Sequence, residues 1–343
     1  MALHLSNLDI WPPVLLAPMA GITDRPFRDL ATRFGAGLVV SEMVASQEMV
    51  QAKPGVREKA ELGAGALGTS VQLAGRDAYW IAEAARRVAD GGARIIDINM
   101  GCPAKKVTNG YSGSALMRTP DHALSLVEAV VAAVDVPVTL KMRLGWDDEC
   151  LNAPDIARRA EEAGVALITV HGRTRCQFYK GRADWSAVAA TVRAVTVPVI
   201  VNGDIRDAAS ARAALAASGA AGVMIGRGAQ GRPWLPGLVA HELYQTARPD
   251  VPHDAARADL VADHYRAMLD FYGTDLGLRV ARKHLGWYLD AAAEDAGAAV
   301  PAPMRRALLT ATDPARAIAL IHEILGKVLP AAAADPAQTR AAA

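Results

Sequence analysis

Seven short stretches of the sequence end apolar runs in residues that can do chemistry. They are Ala17-Pro18-Met19-Ala20-Gly21, Gln72 within Thr69–Leu73, Asp97-Ile98-Asn99-Met100-Gly101-Cys102-Pro103, Lys141 with Arg143, His171-Gly172-Arg173, Asn202-Gly203-Asp204 and Gly226-Arg227-Gly228. Each has a bland explanation when taken alone. A Gly or Pro after a strand is usually a turn, and a lone Gln is usually a satisfied polar group. Lys141 resists that explanation, because a lysine inside the apolar run Val138–Met142 needs a partner for its charge. Gly203, Gly226 and Gly228 leave backbone N–H groups unshielded, and Arg227 adds a fixed positive charge. Together they predict a site for a phosphate group. Cys102 follows Gly101, precedes Pro103 and opens a stretch to Gly113 that also holds Lys105, Lys106, Asn109 and Tyr111. A thiol in such a loop is expected over a pocket rather than inside a core. Cys150 and Cys176 lack that setting and are read as structural.

These residues need a scaffold that brings many strand ends to one place. Eight continuous apolar runs supply the strands: Val14–Ala17, Leu38–Ser41, Thr69–Leu73, Ile95–Asn99, Val138–Arg143, Leu167–His171, Val199–Asn202 and Gly222–Gly226. Continuous rather than alternating hydrophobicity suits parallel strands buried on both faces. Helical segments lie between them at Asp77–Ala89, Pro120–Val134, Ala153–Ala163, Trp185–Ala194 and Ala208–Ser218, with starts marked by Asp77, Thr119-Pro120, Asp184 and Asp207. Eight strand–helix units in roughly 240 residues predict an α/β fold of the TIM (β/α)8 barrel type, with a doubly wound open sheet as the alternative. Loops after strands 7 and 8 are the usual phosphate site of such a barrel. A phosphate loop of the G-x-x-x-x-G-K-[ST] kind is absent. Gly226–Gly231 matches G-x-G-x-x-G only at the last strand, so ATP and Rossmann-type NAD binding are not supported.

Strand-like runs stop after about Leu243, and Pro249 and Pro252 mark a linker. Ala256–Tyr272, Leu278–Ala292 and Pro314–Leu329 then read as helices. The expected organisation is a barrel over 1–245, a smaller α-helical domain over 246–330 and a disordered Ala-rich tail over 331–343. The chain has 343 residues, 52% hydrophobic and 21% charged, with a formal net charge of +1. Bulk charge therefore does not announce nucleic acid, and an RNA partner must be met by a local basic surface. From 245 to 343 eleven basic residues face twelve acidic ones, but Arg279, Arg282, Lys283 and His284 cluster. Three cysteines without C-x-x-C spacing indicate neither a disulfide framework nor a zinc site. With no signal-like start and no long apolar run, the expectation is a cytoplasmic protein with no membrane association.

The motifs Ala17–Arg28, Val71-Gln-Leu73, Asp97–Pro103, Lys141-Met-Arg143, His171–Arg175, Asn202–Ile205, Gly226–Trp234 and Arg282–Tyr288 resemble those of the tRNA-dihydrouridine synthases, in particular the bacterial DusB-like branch. The resemblance spans roughly residues 10 to 330. It implies FMN across the barrel mouth, bordered by Pro18, Met19 and Ala20. Gln72 and Lys141 would bond its ring or ribityl region, and His171 would lie near the ring. Asn202, Gly203, Asp204, Gly226 and Arg227 would hold its phosphate end. It implies NADPH or NADH as reductant and tRNA as partner, with no DNA and a monomeric chain. Arg279, Arg282 and Lys283 would contact the tRNA and Asn99 would orient the uracil. The implied reaction is reduction of the uracil C5=C6 bond in the tRNA D-loop, leaning toward position 17. Hydride goes from reduced FMN N5 to C6, and Cys102 gives a proton to C5. An ordinary thiol, with a pKa of about 8.5, carries that proton at neutral pH. Lys141 would stabilise negative charge on the reduced flavin.

Two other readings compete. A flavin barrel enzyme acting on a free pyrimidine would share the mouth but would not need the helical domain with Arg279, Arg282 and Lys283. A non-enzymatic RNA-binding protein or regulator would not need Cys102, Lys141 and the glycine-rich strand ends.

Overall fold

The computed structural model describes residues 2–53, 55–56, 58–63 and 69–329. The expected tail, 331–343, lies outside them. The chain opens with strands β1 (Leu3–Leu5) and β2 (Leu8–Ile10), an antiparallel hairpin with Leu3 opposite Ile10. Leu3, Leu5, Leu8 and Ile10 pack against Leu15, Leu38, Ile95, Leu167, Ile200 and Met224. Those partners lie at or near the starts of barrel strands, so the hairpin plugs the barrel's amino-terminal end.

The remaining strands are β3 (Val14–Leu16), β4 (Leu38–Val40), β5 (Val44–Ala45), β6 (Thr69–Ala74), β7 (Ile96–Met100), β8 (Val138–Arg143), β9 (Leu167–His171), β10 (Val199–Asn202) and β11 (Gly222–Ile225). Leaving out the short β5, which pairs only with the end of β6, they close in the order β3-β4-β6-β7-β8-β9-β10-β11 and back to β3. Every barrel pairing is parallel. This is the closed eight-stranded (β/α)8 barrel expected, not an open sheet. The described residues of β6, β7, β8 and β9 are buried along their whole length, as strands covered on both faces must be.

Helices α1 (Arg25–Arg33), α2 (Ser46–Val50), α3 (Ala78–Asp90), α4 (Lys105–Thr108), α5 (Pro120–Val131), α6 (Ala153–Glu162), α7 (Trp185–Ala194), α8 (Ala208–Ser218) and α9 (Leu235–Tyr244) lie between or after the strands. Asp77, Asp184 and Asp207 cap α3, α7 and α8 through their carboxylates, and Asp207 forms a reciprocal capping box with Ser210. Thr119 makes no side-chain cap bond; α5 starts instead on Pro120, whose fixed φ suits the first turn.

By packing, the chain divides into two units. One holds Met1–Ala229 with Trp234–Pro249, and the other Gln230–Pro233 with the residues from Asp250. The second unit is helical: α10 (Asp254–Tyr272), α11 (Thr274–Ala296), α12 (Ala302–Thr310) and α13 (Pro314–Glu323), the last running into a π turn at Ile324–Val328. Only Gly273, at φ +72°, separates α10 from α11, so α11 starts four residues before its expected start at Leu278. His284 is wholly buried in this unit beside His264, and burial drives its pKa well below the ordinary histidine value. It is a neutral core residue, not a member of the basic surface cluster. None of the described helices is long and apolar enough to cross a membrane.

Candidate active site

In a parallel barrel the carboxyl ends of the strands all open to one face, so functional side chains converge there. β6, β7 and β8 contribute neighbouring positions, with Gln72 paired to Asp97 and Asn99 to Lys141 in the ladder. Gln72 Nε2 donates to Asp97 Oδ2 at 2.6 Å, and Asn99 Nδ2 donates to Gln72 Oε1 at 2.6 Å. Asn99 Oδ1 accepts from the backbone N–H groups of Gly101 and Cys102 at 3.1 and 3.0 Å. The other side of the Cys102 loop is tied by Ser114, whose hydroxyl donates to Cys102 O at 2.8 Å. Cys102 itself is half-buried, as is Cys150, whereas Cys176 is exposed.

Lys141 points inward from β8 and is 8% exposed. Its Nζ donates to Asn202 Oδ1 at 3.1 Å, while Asn202 Nδ2 is fixed by Met224 O at 2.8 Å. Burial and the neighbouring Arg143 charge lower the Lys141 pKa to about 8, against the opposing pull of Asp97 and Cys102. Burial raises Asp97 to about 6, against hydrogen bonds from Gln72 and Thr139 and the Lys141 charge. At neutral pH the mouth therefore holds a buried ammonium close to a buried carboxylate. Arg143 leaves β8 to donate to Gly101 O at 2.7 Å and to Thr174 O and Phe178 O at 2.9 Å. One guanidinium thus joins the loop that carries Cys102 to the loop after β9.

Sequence reasoning assigned no role to the residue that organises the far side of the mouth, Arg173. It is 1% exposed and forms a two-pronged ion pair with Asp204, at 2.6 and 3.1 Å. The Asp204 carboxylate also accepts from Ala183 N–H at 2.8 Å and meets Arg227 at 3.4 Å. Desolvation acts to raise its pKa, but Arg173 and Ala183 outweigh it and hold it below the usual carboxylate range. Asp204 therefore positions Arg173 and Arg227, and any contribution to a phosphate site must come from its backbone, since a carboxylate repels an anion. Arg227 is exposed and lies over the Tyr179 ring at 5.1 Å, with Arg143 at 5.5 Å from the same ring. His171 is buried, and burial followed by the Lys141, Arg143, Arg173 and Arg227 charges keeps it neutral.

Glycine is required at 203, where φ is +117° and a Cβ would lie 2.9 Å from the His171 ring. Gly226 has ordinary room around it, with nothing nearer than Ala17 Cβ at 3.7 Å. On the first strand's loop, Pro18 and Met19 are half-buried and Ala20 exposed. Thr23 holds Met19 by accepting from its N–H at 2.9 Å, and Glu42 accepts from Gly21 N–H. The barrel unit thus brings together Pro18, Met19, Ala20, Gln72, Asn99, Cys102, Lys141, His171, Asn202, Gly203, Asp204, Gly226 and Arg227 at its carboxyl face. Arg279 and Arg282 are exposed on α11 of the helical unit, and Lys283 is half-buried. Tyr179 and Glu42 carried no sequence signal, since both sit in loops without periodicity.

The arrangement fits a flavin mononucleotide. The Lys141 ammonium has three N–H donors and, among the described residues, one side-chain acceptor on it, Asn202. Arg227 reaches Asp204 only at 3.4 Å, so it keeps donors for an anion. Lys141, Arg143, Arg173 and Arg227 outnumber Glu42, Asp97 and Asp204 at the mouth, which suits a phosphorylated, anionic group.

A family model described as dihydrouridine synthase matches residues 15–324. A probable tRNA-dihydrouridine synthase of Rhodobacter capsulatus is 65% identical over 324 residues, covering 94% of this chain and 97% of that protein. A tRNA-dihydrouridine synthase B of Xanthomonas campestris is 49% identical over 286 residues, covering 83% of this chain and 86% of its own. Among solved structures, histamine dehydrogenase from Rhizobium sp. 4-9 superposes with a TM-score of 0.52 at 14% identity, over 77% of this chain and 50% of that one. A 2-naphthoyl-CoA reductase complex gives 0.54 at 14% identity, over 70% and 52%. At that identity the two structures speak to the fold alone, and it is the barrel fold.

Proposed function

This chain belongs to the dihydrouridine synthase family, and we propose that it reduces the C5=C6 bond of a D-loop uridine in tRNA, with bound FMN, NADPH or NADH as reductant and Cys102 as the acid. The observation that carries this reading is the meeting of a loop thiol, a buried ammonium and an open guanidinium at one barrel mouth. FMN, when bound, supplies the hydride to the uracil ring. Arg227 and the Gly203 and Gly226 backbones hold its phosphate end. Pro18, Met19 and Ala20 border it. Gln72 and Lys141 bond its ring or ribityl region, with neutral His171 beside them. The Lys141 ammonium, kept in place by Asn202, stabilises negative charge in a site where water screens little. Asn99 orients the uracil while its carbonyl holds the Cys102 backbone. Cys102 Sγ–H then gives its proton to C5. The target base must leave its stack to enter, which favours a loop uridine.

Cys102→Ala separates the steps. The variant is expected to bind flavin and accept electrons from NADPH as the parent does. Reoxidation of its reduced flavin by unmodified tRNA should slow by roughly 10²–10⁴-fold, the usual worth of a positioned acid. Cys102→Ser should be nearly as slow, a hydroxyl being a far poorer acid. Rapid mixing of prereduced protein with tRNA, with dihydrouridine counted by mass spectrometry, decides the matter. Wild-type reoxidation in both variants removes Cys102 from the reaction, and a protein that carries no flavin and forms no dihydrouridine removes the activity.

A further inference from the structure

The strand ends around Cys102 are joined by a hydrogen-bond chain with a direction. Asp97 lies on β7, 3% exposed, and both its oxygens accept: Oδ1 from Thr139 Oγ1 and Oδ2 from Gln72 Nε2, each at 2.6 Å. A carboxylate can only accept. Gln72 must therefore turn its NH2 to Asp97 and its carbonyl away. That carbonyl accepts from Asn99 Nδ2 at 2.6 Å, which leaves the Asn99 carbonyl to take the Gly101 and Cys102 N–H groups. Reversing either amide sets donor against donor at one link and acceptor against acceptor at another. The order is thus fixed by agreement of its two ends, a carboxylate that can only accept and the Gly101 and Cys102 N–H groups that can only donate.

We propose that Asp97 is the positioning residue of the site: its carboxylate fixes the orientation of Gln72 and Asn99 and, through them, the backbone that carries the Cys102 thiol. Asp97 also supports the Lys141 ammonium near it, so one buried carboxylate serves both that charge and the direction of the chain. An apolar residue would fill the strand but leave the Gln72 NH2 without its acceptor. With a pKa of about 6, the group is mainly ionised at pH 7, so the chain keeps its direction under working conditions. The proposal builds on the reading of Cys102 as the acid, but the polarity of the chain can be read without the reaction.

Substitution can break and restore that polarity. In Asp97→Leu the Gln72 NH2 loses its acceptor, and nothing at that end holds either amide in its orientation. An Asn would not do this, because the Thr139 hydroxyl can accept as well as donate and would let the new carbonyl keep facing Gln72. Adding Gln72→Glu restores an acceptor-only group one link along. The new carboxylate at position 72 takes the Asn99 NH2, and the Asn99 carbonyl is again directed at the loop.

The readout is the rate of Cys102 alkylation by iodoacetamide, followed by mass spectrometry in the full-length chain with Cys150→Ser and Cys176→Ser. The expected result is alkylation faster by about tenfold in Asp97→Leu, the worth of two loosened anchoring bonds. The double variant Asp97→Leu/Gln72→Glu should return to within about twofold of the parent. A merely structural Asp97 predicts no such rescue, because the double variant disturbs two buried positions instead of one. Parent-like alkylation in Asp97→Leu, or a double variant as fast as the single, overturns the proposal. If Asp97→Leu fails to fold, the double variant against the parent decides: an equal rate supports the proposal and a faster one sinks it. Failure here leaves Cys102 as the acid intact, while failure of the Cys102 kinetics leaves the hydrogen-bond chain intact.

Discussion

At the scale of single residues, the mouth is an uneasy balance of charge held in place for a purpose. Lys141 is stripped of water and sits near Arg143, so its pKa falls from 10.5 to about 8. Between those values the unfolded chain binds a proton that the folded chain does not. The Lys141 contribution to stability therefore rises with pH across that window, and at neutral pH keeping the ammonium buried opposes folding. Activity is expected to run the other way, because deprotonation removes the charge that stabilises electron density at the flavin. Reoxidation of reduced flavin by tRNA should show an alkaline limb near pH 8. Lys141→Arg keeps its charge through this range, so its residual rate should fall only where the acid that protonates C5 loses its proton, and the limb should shift. A limb that persists unchanged in Lys141→Arg belongs to another group, and a wild-type rate flat to about pH 9.5 removes the Lys141 charge from the step.

At the scale of elements, the loop between β7 and α5 matters most. It carries Cys102 and returns through Gly113, where φ is +61°. A Cβ at Gly113 would lie 2.9 Å from the Cys102 carbonyl oxygen and 3.2 Å from Cys102 Cβ. That oxygen is held by both Ser114 N–H and the Ser114 hydroxyl, so it cannot move aside without breaking them. Gly113→Ala is thus expected to shift the thiol and to add about 1–2 kcal/mol of left-handed backbone strain. Flavin content should stay as in the parent, and tRNA-driven flavin reoxidation should slow by about tenfold or more. A variant that matches the parent in this step shows that the loop adjusts freely.

The strands were legible for a physical reason. A strand covered on both faces must be apolar throughout, and Val138–Arg143 and Leu167–His171 were placed to the residue. The β1–β2 hairpin was not, since three residues per strand carry too little period. Helices α1, α9 and α12 were passed over as well, being short or of mixed composition. The site residues were found as polar types at strand ends, but their partners were not. Nothing in the local sequence of Asp97 or Arg173 says that one meets Gln72 and the other Asp204, because those pairings exist only once the barrel closes. His284 failed for the converse reason. Its neighbours Arg282 and Lys283 suggested a basic patch, but the helical turn sends it into the core.

At the scale of the whole molecule, a net charge of +1 must serve a polyanionic partner, so attraction has to be local. The barrel unit concentrates Lys141, Arg143, Arg173 and Arg227 at its mouth. These are largely occupied, leaving Arg227 as the exposed one. The helical unit contributes from α11, where Arg279, Arg282 and Lys283 fall three and four residues apart and so share a face. Arg279 and Arg282 are exposed there, which is what binding a phosphate requires. Replacing Arg282 and Lys283 with Ala should weaken tRNA binding and flatten its salt dependence, by about one counterion for each phosphate no longer neutralised. Both residues belong to the helical unit and to none of the proposed flavin contacts, so flavin content and NADPH-driven flavin reduction without tRNA should not change. Affinity measured across a salt series carries the decision. A lower affinity with an unchanged slope would mean that the variant disturbs the fold of α11, where buried His284 and Leu285 follow directly. Wild-type affinity at every salt concentration would mean that tRNA is held by another surface, and the half-buried state of Lys283 makes Arg279 with Arg282 the next pair to replace.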